Sequence, residues 1–135
     1  MAAASVLVVD DEVDFRASVR SCLEREGYAV QEAGDGAEAL KRLEAERYDL
    51  AIVDLSMPRM TGLGLLKSIR AAGRPAPATI VVTAFGDWGS YAQALDLGAV
   101  SFLSKPLAMA DLLREVARAL AGRPGAGATK TLGRT

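Results

Sequence analysis

The chain has 135 residues, half of them apolar, with 16 basic and 17 acidic side chains and a formal net charge of −1. That length fits one domain that buries roughly two-thirds of the surface its unfolded chain exposes, with no need of a disulfide or metal staple. The charge balance argues against nucleic-acid binding through general electrostatics. Histidine is absent and Cys22 is the only cysteine. Those two facts exclude Ser-His-Asp and Cys-His catalysis, histidine metal ligands, an intrachain disulfide and a histidine phosphodonor within this chain. The N-terminus lacks a charged segment followed by a long apolar run, and no stretch reaches the roughly 18 to 20 apolar residues of a membrane span. A cytoplasmic location without membrane contact is therefore expected.

In chain order, the first apolar run, Ser5–Val9, ends in Asp10-Asp11-Glu12. Phe15, Val19, Cys22 and Leu23 follow at helical spacing, with Gly27 as the C-cap candidate. Cys22 on this apolar face is expected as a small core residue. A second run, Tyr28–Glu32, leads to Gly34-Asp35-Gly36, a break before a helix carrying Ala39, Leu40 and Leu43. The third run, Leu50–Val53, ends in Asp54. Thr61-Gly62 then opens a helix with Leu63, Leu66 and Ile69, closed by Gly73 and Pro75–Pro77. The fourth run, Thr79–Thr83, precedes a weaker stripe of Tyr91, Ala94 and Leu95 with Leu97 beyond, ended by Gly98. Trp88 and Tyr91 read as rim or core aromatics, or as part of a partner-binding face. The fifth run, Val100–Leu103, enters Ser104-Lys105-Pro106 and a last helix with Leu112, Leu113, Val116 and Leu120.

Short Val/Ile-rich runs alternating with amphipathic helices imply right-handed βαβ units and a parallel sheet covered on both faces. The expected fold is α/β, a doubly wound five-stranded parallel sheet of flavodoxin-like order 2-1-3-4-5. Residues 4–121 form the domain. Gly122–Thr135, rich in glycine and without apolar period, reads as a flexible tail or linker.

Ligands of open α/β sheets bind at the carboxyl ends of the strands. Asp10 and Asp11 fall at that end of the first strand, Asp54 at the third, Thr83 at the fourth and Lys105 after the fifth. Crowded carboxylates repel unless a cation is present. A hard divalent ion with oxygen ligands, Mg²⁺ or alternatively Mn²⁺, resolves the repulsion. A carboxylate beside such an ion can act as nucleophile toward a phosphoryl group and form an aspartyl phosphate. Lys105 would offset charge on that group, and the Thr83 hydroxyl would donate a hydrogen bond to it. Each piece alone has an ordinary reading: an N-cap for the Asp pair, a turn residue for Asp54, a loop entering a helix for Lys105-Pro106. Their joint placement at successive strand ends favours the site.

Together, Val6-Leu7-Val8-Val9-Asp10-Asp11-Glu12, Asp54-Leu55-Ser56-Met57-Pro58 followed by Thr61-Gly62, Val82-Thr83-Ala84 and Phe102-Leu103-Ser104-Lys105-Pro106 closely resemble the receiver domain of two-component response regulators. The resemblance implies Asp54 as phosphoacceptor, and Asp10, Asp11, Asp54 and the Ser56 backbone carbonyl as the Mg²⁺ site. It implies Thr83 and Phe102 as a switch pair acting on the face of helix 4, strand 5 and helix 5, and Lys105 as the phosphoryl contact. Pro58 and Gly62 would shape the loop after the acceptor, and the Lys105–Pro106 peptide is expected to be cis. The partners implied are a sensor histidine kinase or a histidine phosphotransfer protein, with a homodimer through the switch face as a further expectation.

Such a domain is a switch rather than a turnover enzyme, although it catalyses part of its own phosphorylation and dephosphorylation. Competing readings are a Mg²⁺-dependent aspartyl-phosphate phosphatase, a flavin or nucleotide module, and a receiver acting by binding alone. The first wants a second carboxylate two residues after the nucleophile, where Ser56 stands. The second wants a Gly-rich phosphate loop after the first strand, where this chain is acidic.

Overall fold

The computed structural model describes residues 3–55, 57, 61–73, 76–84 and 88–122. Five strands, β1 (Ser5–Val9), β2 (Ala29–Ala33), β3 (Leu50–Asp54), β4 (Ala78–Ala84) and β5 (Ser101–Lys105), alternate with five helices. The helices are α1 (Val13–Arg25), α2 (Gly36–Ala45), α3 (Gly62–Ala72), α4 (Trp88–Asp96) and α5 (Met109–Ala121). All neighbouring strands are parallel and run in the order β2-β1-β3-β4-β5. The expected doubly wound sheet is thus the observed one.

Successive side chains of a strand point to opposite faces, and here both faces are covered. Val6 and Val8 of β1, Leu50 and Ile52 of β3, and Ile80 and Val82 of β4 meet Val19 and Leu23 of α1 and Leu112, Val116 and Leu120 of α5. The alternate residues Leu7, Val9, Ala51 and Val53 meet Ala39 of α2 and Leu65 of α3, and Val81 packs with Leu66 and Ala94 on the α3–α4 side. A strand buried on both faces gains stabilisation at every position, about 1.5–3 kcal/mol per large apolar side chain. That is why β1, β3 and β4 read as unbroken apolar runs.

The boundaries moved where apolar content and hydrogen bonding disagree. β2 runs Ala29–Ala33 rather than Tyr28–Glu32, because its ladder pairs Ser5 with Ala29 and Val9 with Ala33. β5 runs Ser101–Lys105 rather than Val100–Leu103; Ile80 pairs with Ser101 and Ala84 with Lys105, while Val100 is exposed. A polar strand end contributes ladder hydrogen bonds without adding to an apolar pattern. Among the described side chains of α4 only Ala94 is buried deeply, and Leu95, expected on its inner stripe, faces outward. Leu65, outside the expected stripe of α3, is fully buried. Cys22 lies in the core as expected. Gly27, just beyond α1, takes φ +92°, a conformation that L side chains rarely adopt.

The Gly122–Thr135 tail lies outside the described residues from 123 onward. Among the described residues no helix is long and apolar enough to cross a membrane.

Candidate functional site

The strand order places the carboxyl ends of β1 and β3 side by side, where successive crossovers leave in opposite directions. Asp10 follows β1 and Asp54 closes β3. Asp10, Asp11 and Asp54 each present a carboxylate oxygen, and these oxygens all lie within 4.8 Å of one another. Asp10 and Asp54 are buried, whereas Asp11 is exposed. Asp10 is held on several sides: its N–H donates to the Ala33 carbonyl at 3.1 Å, and its Oδ1 accepts from the Glu12 N–H at 2.8 Å. The ordinary alternative for the Asp pair does not hold, since the N-cap of α1 is Glu12 and no side chain caps that helix.

Lys105 ends β5, two strands from β3, a separation of roughly 10 Å at the usual strand spacing. Its side chain spans that gap. Nζ lies 2.9 Å from Asp10 Oδ2, 2.5 Å from Glu12 Oε1 and 3.5 Å from Asp54 Oδ2. The contact with Asp10 Oδ2 is an ion pair of poor hydrogen-bond angle, so that buried oxygen has no well-formed hydrogen bond among the described residues. The ammonium also sits over the Phe15 ring, 4.5 Å from its centroid. Desolvation pulls the Lys105 pKa down. The Glu12 and Asp10 carboxylates in contact with the ammonium, together with the charge of Asp54, more than offset it and hold the group above its ordinary value.

Thr83 lies on β4 and Phe102 on β5. Val81 pairs with Phe102 and Thr83 with Ser104, so the pleat puts Thr83 and Phe102 on the same face, the one covered by α4. The Thr83 hydroxyl is buried and has no hydrogen-bond partner among the described residues. Phe102 is half-buried and stacks on Tyr91 of α4, with ring centroids 4.1 Å apart and planes tilted by 32°.

Gly62, the first residue of α3, sits directly beneath β3. Its N–H donates to the Leu55 carbonyl at 3.2 Å. A Cβ at this position would lie 2.4 Å from the Asp54 carbonyl oxygen and 2.6 Å from Leu55 Cα. Only glycine allows this approach. The Lys105–Pro106 peptide is cis. Ser56 and Pro58 lie outside the described residues.

Four carboxylates thus gather at this rim: Asp10, Glu12 and Asp54 meet the Lys105 ammonium, and Asp11 lies beside Asp10 and Asp54. That excess of hard oxygen donors fits a divalent cation such as Mg²⁺, and the poorly satisfied Asp10 Oδ2 leaves a buried oxygen suited to electrophilic company. Asp10, Asp11 and Asp54 are the residues that would hold the ion. A surface cleft lined by Thr79, Val100 and Gly122 lies at the opposite end of the sheet. The convergence of charge locates this site.

The sequence assigned no role to Glu12, counted Phe15 only as core, and passed over Arg16. Glu12 was adjacent to the Asp pair, but its contact with Lys105 spans 93 positions of chain, which no local pattern encodes. Arg16 donates from Nη1 to the Asp10 carbonyl at 2.6 Å. On a helix face a charged residue of this kind carries no distinguishing signal.

A family model described as the response regulator receiver domain matches residues 6–117. Response regulator MprA of Mycobacterium ulcerans is 39% identical over 118 residues, covering 87% of this chain and 50% of that protein. The MprA of Mycobacterium leprae is 38% identical, with 51% of its length covered. The chain therefore spans about half the length of the curated relatives it matches. Among solved structures, Vibrio cholerae chemotaxis protein CheY4 superposes with a TM-score of 0.82 at 33% identity, covering 88% of this chain and 100% of that one. The receiver domain of NtrX from Brucella abortus gives 0.81 at 31% identity, covering 87% and 99%.

Proposed function

Since the chain belongs to the receiver domain family of two-component response regulators, we propose that it accepts a phosphoryl group on Asp54 and uses it as a reversible signal. The observation that carries this reading is the meeting of Asp10, Asp11 and Asp54 within 4.8 Å at the switch point of the sheet, with Lys105 reaching in from β5. The donor is a phosphohistidine on a sensor kinase or phosphotransfer protein. An Asp54 carboxylate oxygen attacks phosphorus, the P–N bond breaks, and the imidazole leaves with the bonding pair. Asp10 and Asp11, with Asp54 and the Ser56 carbonyl, would hold Mg²⁺ or Mn²⁺. When bound, the ion supplies positive charge against the carboxylates and the phosphoryl oxygens.

Lys105 is held charged by its carboxylate partners and offsets the phosphoryl charge. The Thr83 hydroxyl, without a partner among the described residues, gains one by donating to a phosphoryl oxygen. Phosphorylation adds about −1.5 to −2 charge. Shifting a population from 1:99 to 99:1 needs about 5.5 kcal/mol, whereas one charge-assisted hydrogen bond contributes about 1.5–3 kcal/mol. The Thr83 contact alone is too small. Lys105, the cation and inward repacking of Phe102 share the change, which alters the face made by α4, β5 and α5. That face is where a second copy or a target docks. The protein acts as a cytoplasmic switch rather than a turnover enzyme, with residues 4–121 as the switching unit and no nucleic-acid contact of its own.

Incubation with acetyl phosphate and Mg²⁺ is expected to add the mass of one phosphoryl group to the wild type and none to Asp54→Asn. Equal labelling of the variant would remove Asp54 from the proposal; absence of labelling in the wild type would remove the phosphoacceptor reading itself.

A further inference from the structure

Arg16 of α1 bridges two parts of the molecule. Its Nη1 donates to the Asp10 backbone carbonyl at 2.6 Å, and its Nε donates to Glu32 Oε1 of β2 at 2.9 Å. The carbonyl it holds belongs to the peptide that joins Asp10 to Asp11. Glu32 is shared: its Oε2 accepts from Arg20 Nη1 at 3.0 Å, and Arg20 Nε in turn donates to Glu24 at 3.0 Å. The inner pair is mostly withdrawn from solvent, with side-chain exposures of 16% for Arg16 and 25% for Glu32. The β2–α2 loop also flanks the guanidinium, since a Cβ on Gly34 would lie 3.4 Å from Arg16 Nη1.

This arrangement poses an electrostatic problem and answers it. A guanidinium within hydrogen-bond reach of the Asp10–Asp11 peptide orients both carboxylates, but its charge would repel a divalent cation. Glu32 sets an opposite charge against the far side of the same guanidinium. Two arginines and two glutamates in the cluster leave it neutral. We propose that Arg16 is a positioning residue for the Asp10–Asp11 carboxylate pair, and that Glu32 is the counter-charge that makes this position compatible with cation binding. The inference rests on the metal-binding part of the receiver reading and extends it to an element, β2, that contributes no ligand.

Outer partners of metal ligands typically change affinity by 10–100-fold when removed. The test is calorimetric Mg²⁺ titration of the full chain as wild type, Arg16→Ala, Glu32→Gln and Arg20→Ala, at low and high salt, with circular dichroism to verify folding. Arg16→Ala is expected to weaken Mg²⁺ binding about 10-fold, even though it removes a positive charge. Glu32→Gln, an isosteric change, is expected to weaken binding several-fold at low salt, with the deficit shrinking as salt screens the uncovered guanidinium. Arg20→Ala disrupts the same α1–β2 network without touching Asp10, and is expected to bind like the wild type.

Unchanged or tighter binding by Arg16→Ala overturns the positioning role. Unchanged binding by Glu32→Gln at low salt overturns the counter-charge. Weakening by Arg20→Ala equal to that of Arg16→Ala reduces the network to a general tie between α1 and β2 and overturns the proposal. If Arg16→Ala fails to fold, Glu32→Gln against Arg20→Ala decides it. A wild type that binds no Mg²⁺ overturns the metal reading itself, a distinct result from variants that match a wild type that does.

Discussion

A hydroxyl sealed from water without a partner costs folding about 1–3 kcal/mol, and Thr83 Oγ1 is in that position among the described residues. Such a defect near the carboxyl end of β4 is explained if the hydroxyl serves a ligand that arrives later. Thr83→Val replaces it with a methyl group of similar volume. The variant is expected to be as stable as the wild type or up to about 1–2 kcal/mol more stable in chemical denaturation. The wild type is expected to respond to fluoroberyllate in fluorescence or NMR spectra, and the variant to lose that response. A variant clearly destabilised, or one that keeps the full response, would remove Thr83 from the switch. The threonine itself was visible in the sequence as a polar residue ending an apolar run. That its hydroxyl has no partner among the described residues was not, because the pattern gives position along a strand and not the satisfaction of one oxygen.

Helix docking turns on Gly62. The N-terminus of α3 passes so close to β3 that a methyl group at this position would overlap the Asp54 carbonyl and Leu55 Cα, which are backbone atoms that cannot rotate away. Gly62→Ala is expected to cost about 2–3 kcal/mol, in the upper part of the usual range for overpacking, read as a lower denaturation midpoint at unchanged m. A loss below about 0.5 kcal/mol, the scatter of an ordinary surface change, would mean that α3 shifts freely and does not constrain β3. The sequence marked Gly62 as the start of a helix, and Thr61 does cap it, its hydroxyl accepting from the Gly64 N–H at 3.1 Å. It could not show the close approach, which depends on how the helix that follows β3 packs back against its own strand.

For the molecule as a whole, the acid limb of stability reports the α1–β2 tie. Desolvation would raise the Glu32 pKa, but hydrogen bonds from Arg20 and Arg16 outweigh it and hold the carboxyl below its ordinary 4.5. A depressed carboxyl stabilises the fold above its unfolded pKa and loses that contribution as pH falls through its folded value. The difference in unfolding free energy between wild type and Glu32→Gln is therefore expected to be full above about pH 5 and to fade below the ordinary value of 4.5. Its size should be about 1 kcal/mol or less, as for partly solvated ion pairs. A difference independent of pH from 7 down to about 3 would mean that the carboxylate charge plays no part in holding β2 to α1.

The sequence by itself determined the class of fold and the identity of the acidic, hydroxyl and ammonium groups at the strand ends. Apolar periodicity follows from burial, and burial on both faces of a parallel sheet leaves unbroken Val/Ile runs at β1, β3 and β4. Apolar pattern also explains the misses: Leu95, placed on an inner stripe, faces out, and polar Ser104 and Lys105 belong to β5 although the apolar run stops before them. Only the tertiary structure decided that Lys105 reaches Asp10, Glu12 and Asp54 at once, that Phe15 lies beneath its ammonium, and that Arg16 and Glu32 back the Asp10–Asp11 peptide. The reason is that patterns of period two and 3.6 record which way a side chain faces, whereas contacts between different elements exist only once those elements have packed together.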